Sequence, residues 1–551
     1  LSRPSASRAM TEIAEWLVAH KIALGEVLSI YAIAGVLHTT GKIAFAWLKA
    51  RRMHKMLKDV PLAEYDNPEG FLGFFAGLRK NIKRDKDWFN EVTAGKSISK
   101  MIGMRFEPSQ VWLIVRDPLC IRHFLKDSFE KYSKPRPTEN PFFYYFQKWV
   151  GDGIFTFSHG VGSSDNGHSW LTQRKIAANI FSKANFQNNM GEVFVEKSLR
   201  LSELLEREAT AGRDVDIQKM FFSFTMDSIT RIFWGEDADT LDNATCHYAD
   251  AYDAAHRALV TWVRPSMAML LQMSYLPWPF GGYGGLAWKI YEWRSPLYQD
   301  FRQACKILDS ESNRIVRASR EDPKLSSRRD LLALFLQSEA KEKFSSAYMR
   351  DMLMNFVIAG RDTTACTLSW AFYVLCANTE VQRRLIEEID AKLPDRVTPT
   401  LKQLSASSMP YLNGVIYEVL RLYPPVPSDS KTCFEDDVFP DGTKIPKGTV
   451  CFWQPYALGR DPAVYSEPEA VKPERWIPFT APAPHDFPVF QAGPRICLGM
   501  DMAIFEAKLV VAMLLQRYTF DLKPGEAEKI HYSGTITLAV CNSKQQDSHN
   551  L

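Results

Sequence analysis

A cysteine near the C-terminal end of the chain stands in a setting that favours its thiolate form. The segment FQAGPRICLG, from Phe490 to Gly499, precedes a long apolar-periodic helix. Amide groups at a helix start stabilise a thiolate such as that of Cys497, while Gly493 and Gly499 let the backbone lie close to a flat cofactor. Arg495 can pair with a buried carboxylate. Because the motif fixes five positions at once, we prefer a cofactor-binding cysteine to an inert buried thiol.

An acid and an alcohol lie inside the longest helix pattern, which runs from a cap at Ser345–Ser346 to Asn378. Gly360 costs a helix about 1 kcal/mol relative to alanine, and Thr363 can bond back to an earlier carbonyl and bend the helix. Such a local defect predicts a functional opening, at which Asp362 and Thr363 relay protons. The alternative is that Gly360 only allows close packing against a neighbouring helix.

Two pairs of side chains at helical spacing are candidates for specific contacts. Trp170 and Arg174 are four residues apart, and Glu418 and Arg421 are three apart; most such pairs are solvated surface contacts. The segment around Glu418 is apolar, however, so its pair is predicted to be buried and to need a further partner such as Arg475. We assign Glu418, Arg421 and Arg475 to the scaffold and not to catalysis.

The elements that position these residues are mostly helices. From about residue 179 to 377, apolar residues recur at three- and four-residue spacing, whereas 432–490 breaks into short strands and Pro-rich loops. No repeat or low-complexity block divides the chain after about residue 60. The sequence predicts a mainly α fold with a smaller β-rich part, in one α+β domain with a long central helix.

The composition excludes several classes of protein. The 551 residues are 46% hydrophobic and 24% charged, which suits a large folded core. The net charge of +3, from 67 basic and 64 acidic side chains, is too balanced for nucleic-acid binding. Nine cysteines without a C-x-x-C pair argue against a disulfide framework and against a zinc ribbon.

Residues 1–55 are predicted to form a membrane anchor or targeting segment. Val27–Trp47 contains 21 residues with Lys42 as the only formal charge, which is long enough to span a bilayer. An interfacial amphipathic helix is the alternative. The basic residues between Lys49 and Lys55 would place the body of the protein in the cytosol. The acid-free start at Leu1 leaves an organelle transit peptide open.

The cysteine loop resembles the haem-binding loop of the cytochrome P450 family, F-x-x-G-x-R-x-C-x-G. Three further segments resemble family motifs in the family's order: W-x-x-x-R at 170–174, E-x-x-R at 418–421 and PERW at 473–476. The resemblance covers nearly everything from residue 60 to 545. It implies a cytochrome P450 catalytic domain over 56–545, with the central helix over the haem, and leaves a polar tail at 546–551.

The resemblance also implies a role for each site residue. Cys497 would be the axial ligand of the iron of haem b, Trp170, Arg174 and Arg495 would face the haem propionates, and Gly360 would leave room for O2. Asp362 and Thr363 would be the catalytic proton relay. The full set of implied cofactor-binding residues is Cys497, Trp170, Arg174, Arg495, Phe490, Gly493, Gly499 and Gly360.

The implied activity is insertion of one atom of O2 into a C–H bond of a lipophilic substrate. Electrons would come from NADPH through a separate reductase such as NADPH–cytochrome P450 reductase, and thiolate ligation, as in cytochromes P450 generally, favours O–O cleavage. Arg174, Lys175 and Lys508 are candidates for docking an acidic flavoprotein. We expect a membrane-tethered enzyme at the endoplasmic reticulum, with a plastid or another organelle as the alternative.

Two rival functions fit the cysteine loop. A haem-thiolate isomerase would need neither O2 nor a reductase, although such enzymes usually lack the acid and alcohol found here at Asp362 and Thr363. A haem sensor or carrier would not require a proton relay. Consumption of NADPH with substrate separates the monooxygenase from both.

The residues of three motifs most resemble those of the fatty-acid ω-hydroxylase branch: AGRDTT at 359–364, PPVPSDSK at 424–431 and FPVFQAGPRICLG at 487–499. We therefore favour ω-hydroxylation of a long-chain fatty acid over oxidation of a sterol, terpene or carotenoid. Lys431 replaces an arginine that contacts a propionate in many family members, and the insert at 274–289 is foreign to the branch. The predicted pocket residues are Phe142, Phe143, Phe356, Val357, Val426 and Ile536.

Overall fold

Helices make up most of the structure, a computed structural model that describes residues 24–66, 77–78, 80–102, 111–135, 141–156, 170–181, 189–243, 246–262, 285–339, 343–532 and 536–542. The helices are α1 (Leu24–Met56), α2 (Asp85–Val92), α3 (Pro118–Arg122), α4 (Pro141–Val150), α5 (Trp170–Ala177), α6 (Gly191–Thr210), α7 (Ile217–Trp234), α8 (His247–Trp262), α9 (Leu286–Arg294), α10 (Pro296–Glu321), α11 (Leu331–Ser338), α12 (Ser346–Ala377), α13 (Thr379–Lys392), α14 (Pro410–Leu422), α15 (Pro455–Leu458) and α16 (Met500–Leu515).

The longest helix of the predicted domain, α12, lies at the centre of the core. Its first turn is capped by Ser345, whose Oγ accepts a hydrogen bond from the amide of Tyr348 at 3.1 Å, and Asn378 follows its last residue. Both ends agree with the predicted ones. Almost every side chain from Met352 to Phe372 is buried, as expected for a helix surrounded by α7, α10, α14 and α16.

The opening predicted within α12 is absent, because the helix is continuous through Gly360 and Thr363. The Thr363 hydroxyl donates to the carbonyl of Ala359 at 2.6 Å without breaking the backbone ladder. A Cβ added to Gly360 would lie 2.3 Å from Cδ1 of Ile229 on α7. The glycine therefore allows close contact between two helices, which is the alternative that the sequence left open.

The β-rich part of the described structure contains the strands β1 (Ile98–Ile102), β2 (Val111–Val115), β3 (Tyr132–Ser133), β4 (Asp429–Cys433), β5 (Asp437–Val438), β6 (Lys444–Ile445), β7 (Val450–Trp453), β8 (Ile530–Tyr532) and β9 (Val540–Asn542). Five of them form a mixed sheet in the order β1-β2-β7-β4-β3, and β5 with β6 and β8 with β9 form two small antiparallel pairs. Parallel pairing of β2 with β7 places Trp112 opposite Val450, and the other pairs in the mixed sheet are antiparallel.

The N-terminal helix α1 contains the segment predicted to span a membrane. Among the residues that the structure describes, no helix is both long and apolar enough to cross a bilayer, so the span predicted for Val27–Trp47 is not supported. Several large apolar side chains on this helix are exposed, among them Leu37, Phe45 and Trp47. The targeting remnant before residue 24, the insert before residue 285 and the tail after residue 542 lie outside the described residues.

Candidate active site

A cavity of about 620 Å³ lies between the central helix and the cysteine loop. Its volume is within the range of small-molecule sites, roughly 300–1,000 Å³. Helix α12 contributes Phe356, Gly360 and Thr363 to its wall, and the loop contributes Phe490 and Cys497. Two motifs that are far apart in the sequence therefore share one pocket. Trp170, Arg174, Arg495 and Gly499 also line it.

Cys497 lies just before α16, and its amide donates to the carbonyl of Phe490 at 2.8 Å. Burial raises the pKa of the Cys497 thiol, whereas the amide of Gly499 and the charge of Arg174 favour the thiolate. The exposed surface of this cysteine is directed into the cavity that it lines. A cation bound in the cavity would complete the stabilisation of the thiolate, since a coordinated thiol loses its proton.

The two glycines of the cysteine loop, Gly493 and Gly499, lie against different neighbours. Gly493 has a φ of +64°, and a Cβ there would lie 2.1 Å from the carbonyl oxygen of Leu125. Its close approach is therefore to the protein's own π-helical turn at His123–Asp127, whereas the sequence analysis assigned it to a cofactor. Gly499 does line the cavity, and a Cβ at this position would make an ordinary contact with Phe181 at 3.4 Å.

Lys134, Arg174 and Arg495 line the cavity together with Asp429, and the buried Lys431 lies close to Lys134, Asp429 and Arg495. Lys134 binds Asp429 at 3.0 Å, and Arg174 donates to the carbonyl of Ile496 at 2.6 Å. Burial lowers the pKa of Arg495 to about 9, and burial together with Lys134 lowers the pKa of Lys431 far below its usual value. Within the described part of the chain, Nζ of Lys431 is buried without a hydrogen-bond partner.

This cationic cluster (Lys134, Arg174, Lys431 and Arg495) is a test of whether haem fits the site. Buried charges are stable only when they are paired, and Asp429 is the one acid among the cavity-lining residues that the structure describes. A ligand that brings two carboxylates to this cluster would balance the excess of positive charge. Haem carries two propionates, so the residues present fit it.

Asp362 and Thr363, the predicted proton relay, lie on different sides of α12. Thr363 lines the cavity, but Asp362 is buried on the side that faces α8 and is not among the cavity-lining residues described. Its carboxylate accepts hydrogen bonds from Tyr252 at 3.1 Å and from Arg361 at 3.0 Å, and Nδ1 of His256 lies 3.5 Å away. Successive helical residues point about 100° apart, so neighbours in sequence need not share a face.

Five of the six residues predicted for the substrate pocket line the cavity. The exception is Val357, which is fully buried in the core because it points about 100° away from Phe356 on α12. Lys86 on α2 and the strand residues Trp112 and Phe452 also line the cavity. Their sequence spacing does not indicate this, because tertiary packing alone brings them there. The five that line it are Phe142, Phe143, Phe356, Val426 and Ile536.

The predicted buried ion pair forms a closed network away from the cavity. Glu418 and Arg421 are fully buried and make two contacts, at 2.7 and 2.9 Å. Nε of Arg475 lies 3.2 Å from the same carboxylate, and the indole N–H of Trp476 donates to it at 3.0 Å. The indole of Trp476 is a partner that sequence reasoning did not anticipate.

The basic residues predicted to dock a flavoprotein differ in accessibility. Lys175 on α5 is exposed, and Arg174 is half-buried. Lys508 is 6% exposed, its Nζ lies 3.4 Å from the carbonyl of Leu404, and burial lowers its pKa to about 8. The prediction for Lys508 is therefore wrong, because its side chain lies inside the protein.

Comparison with known proteins gives a consistent family. The family model described as Cytochrome P450 matches residues 82–546. Similar curated proteins include cytochrome P450 704B1 of Arabidopsis thaliana, 29% identical over 493 residues, which are 83% of this chain and 90% of that protein. Cytochrome P450 86B1 of Arabidopsis thaliana is 30% identical over 80% of this chain and 78% of its own. Cytochrome P450 94A1 of Vicia sativa is 28% identical over 81% and 83%.

Proposed function

The chain belongs to the cytochrome P450 family and is a cytochrome P450 monooxygenase, and we propose that Cys497 binds the iron of haem b and that the substrate is a long-chain fatty acid hydroxylated at or near its methyl end. The proposal rests on one observation above all. Cys497 lines a largely apolar cavity whose lining also includes Lys134, Arg174 and Arg495 and, from helix α2, Lys86.

Different residues of this chain would bind the iron and the propionates of the haem. When bound, haem activates O2 with electrons delivered by the redox partner, and a thiolate ligand favours O–O cleavage. Cys497 would supply that ligand, and Arg174 and Arg495, with the buried Lys431 behind them, would balance the charge of the propionates. The guanidinium of Arg495 lies 4.5 Å from the ring centroid of Trp170, which orients it towards the cavity.

Thr363 lines the cavity from α12 together with Thr364 and Thr367, and it is the one that we assign to proton transfer. Because its hydroxyl hydrogen is committed to the carbonyl of Ala359, the lone pairs of Oγ1 can accept a hydrogen bond from a group in the cavity. The aromatic side chains of Phe142, Phe143 and Phe356 exclude water from the neighbouring wall.

Lys86 supports an acid as the substrate. It lines the cavity from α2 and is not part of the cationic cluster. Helix α2 contacts α15, and the backbone amides of Lys86 and Asp87 donate hydrogen bonds to the hydroxyl of Tyr532. Its Nζ lies 2.5 Å from Asp85, and an ammonium has further N–H donors for a carboxylate. A fatty acid held at Lys86 would direct its methyl end to the Cys497 side of the cavity. The resemblance of three motifs to the ω-hydroxylase branch supports the same substrate.

Binding spectra test the substrate. The holoprotein is titrated with long-chain fatty acids, their methyl esters, sterols and terpenes, and a high-spin shift is recorded for each. We expect the acids to bind at least tenfold more tightly than the esters, with Lys86→Met removing this preference and Lys86→Arg keeping it. A shift only with lipids that carry no acid group would overturn the choice of substrate in favour of a sterol, terpene or carotenoid.

The ligand and the reaction class have their own tests. Cys497→Ser should lose the red-shifted Soret band of the thiolate-ligated ferrous carbonyl complex, and retention of that band would contradict the assignment. With NADPH, NADPH–cytochrome P450 reductase and a fatty acid, a hydroxylase consumes NADPH and forms the alcohol. Turnover of a hydroperoxide without NADPH would indicate an isomerase, and neither reaction would indicate a sensor.

A membrane-tethered enzyme is part of the proposal. The exposed apolar side chains of α1, such as Leu37, Phe45 and Trp47, together with Arg51 and Arg52, suit a helix that lies in the interface of an anionic membrane. We place it at the endoplasmic reticulum with the catalytic domain in the cytosol, and a plastid or another organelle is the alternative. Fluorescent fusion of the full chain, with deletion of 1–56 as the comparison, distinguishes these locations.

A further inference from the structure

Asp362 sits in a small polar cluster that lies between α12 and α8 and outside the cavity. Three side chains contact or approach its carboxylate: Tyr252 at 3.1 Å, Arg361 at 3.0 Å and His256 at 3.5 Å. Arg361 also binds Asp253 at 2.8 Å, and Asp253 is 40% exposed. The cluster therefore links a fully buried acid to the surface of the protein within one turn of α8.

The three neighbours differ in their ability to exchange a proton. Coulombic contact with Asp253 and Asp362 outweighs burial and raises the pKa of Arg361 further above its already high value. Burial raises the pKa of Tyr252 far above its usual value. Burial lowers the pKa of His256, so its imidazole is neutral at physiological pH and has one N–H and one free acceptor. His256 is therefore the neighbour whose ring can take up a proton at one nitrogen while it releases a proton from the other.

Resting on the proposed monooxygenase function, we propose that His256 is the residue through which Asp362 takes up protons from solvent. The imidazole donates the proton on Nδ1 to the carboxylate of Asp362 and accepts at Nε2 a proton from a solvent hydronium ion, which becomes water. The ring ends as the other neutral tautomer, and Asp362 ends as the neutral acid. The contact at 3.5 Å closes to hydrogen-bond length through a small movement of the ring or of the carboxylate.

The surroundings of His256 suit this role. Its ring stacks on Trp149 of α4, with centroids 5.6 Å apart and planes at 22°, which fixes the orientation of both nitrogens. Nε2 is buried and has no hydrogen-bond partner within the described part of the chain. The other charged groups that act on the imidazole are Asp253 and Arg257 on its own helix and Arg361 on α12.

Protonation of Asp362 also weakens the ion pair between its side chain and Arg361. A neutral acid is bound less strongly by Arg361, whose charge stays paired with Asp253. The acid is then released from the α8 side and can carry its proton around α12 towards Thr363. His256 is thus a positioning and proton-supplying residue for Asp362, while Thr363 is the member of the pair that lines the cavity.

The test compares His256→Gln with His247→Gln, a histidine on the same helix whose side chain is exposed. The holoproteins are supplied with reductase, NADPH and any lipid that gives a high-spin shift. We expect His256→Gln to form product at least tenfold more slowly, to divert NADPH to peroxide, and to show an enlarged solvent isotope effect on product formation. His247→Gln should behave as the wild type.

The rate of reduction by the first electron and the high-spin shift should be unchanged in His256→Gln, because neither needs the relay. A wild-type solvent isotope effect and wild-type coupling in that variant would overturn the inference. If His256→Gln loses haem, Tyr252→Phe is tested instead. This variant removes one hydrogen bond to Asp362 but keeps His256, so its solvent isotope effect should equal that of the wild type. An enlarged solvent isotope effect in Tyr252→Phe would contradict the relay. Absence of any NADPH-dependent product in the wild type would refute the proposed function separately.

Discussion

Glu418 is fully buried and binds the fully buried Arg421, the partly buried Arg475 and the indole N–H of Trp476, so its removal should be costly. We expect Glu418→Ala to lower the free energy of unfolding by about 3–5 kcal/mol, because it leaves the buried guanidinium of Arg421 uncompensated. Glu380→Ala is the matched control, since Glu380 pairs with Arg383 at the same i,i+3 spacing on the surface of α13. It should cost less than about 0.5 kcal/mol in urea unfolding, and equal losses in the two variants would contradict the argument.

Lys508 carries a buried amine whose pKa falls from 10.5 to about 8 on folding. A lowered pKa means that the unfolded chain binds the proton more tightly, so this lysine destabilises the fold below pH 8 and has no such effect above pH 10.5. We expect Lys508→Met to raise the free energy of unfolding by up to about 3 kcal/mol at pH 7, and the gain should shrink as the pH approaches 10.5. The exposed Lys175→Met should show neither gain nor pH dependence.

At the scale of single residues, spacing in the sequence predicted those contacts that form within a turn of helix or a short loop. The Glu418–Arg421 pair and the location of Cys497 before a helix are of this kind. The side of α12 on which Asp362 lies was not predictable, because Tyr252 and His256 belong to another helix. Burial of Lys508 was missed for the same reason.

Among the elements, the loop before α16 depends on Gly493, which has a positive φ and touches the backbone of Leu125. Gly493→Ala should lower the free energy of unfolding by more than about 2 kcal/mol and impair haem retention, because both strain and a backbone clash must be relieved. Gly442→Ala is the control, since Gly442 also has a positive φ but an added Cβ would meet nothing within 4 Å. It should cost only about 1 kcal/mol, measured by thermal melting of the holoprotein.

The limits of α12 could be predicted from its cap and its apolar pattern, but the predicted opening could not be confirmed. A glycine and two threonines weaken an isolated helix, yet packing against Ile229 and the back-bonded Thr363 hydroxyl keep this one continuous. Tertiary contacts thus override local propensity at this point. Between β5 and β6 the chain turns at Gly442, which has a φ of +86°.

At the scale of the whole molecule, we expect the positive charge of the exposed Lys175, beside the cysteine loop, to control the rate at which the redox partner delivers electrons. We expect Lys175→Glu to slow reduction by an acidic flavoprotein severalfold at low ionic strength, with the difference fading as salt is added. Stopped-flow reduction with NADPH–cytochrome P450 reductase measures the rate. Lys324→Glu, an exposed lysine after α10, is the control, and equal slowing by both would indicate a non-specific effect of net charge.

The mixed sheet also constrains how this protein is made. Trp112 and Phe452 belong to adjacent paired strands and both line the cavity, yet they are encoded in distant parts of the chain. A ribosome-bound nascent chain exposes the edge of β2 until β7 has emerged, and such an unpaired edge invites aggregation. The cavity wall that Trp112 and Phe452 share can therefore form only after β7 has been synthesised.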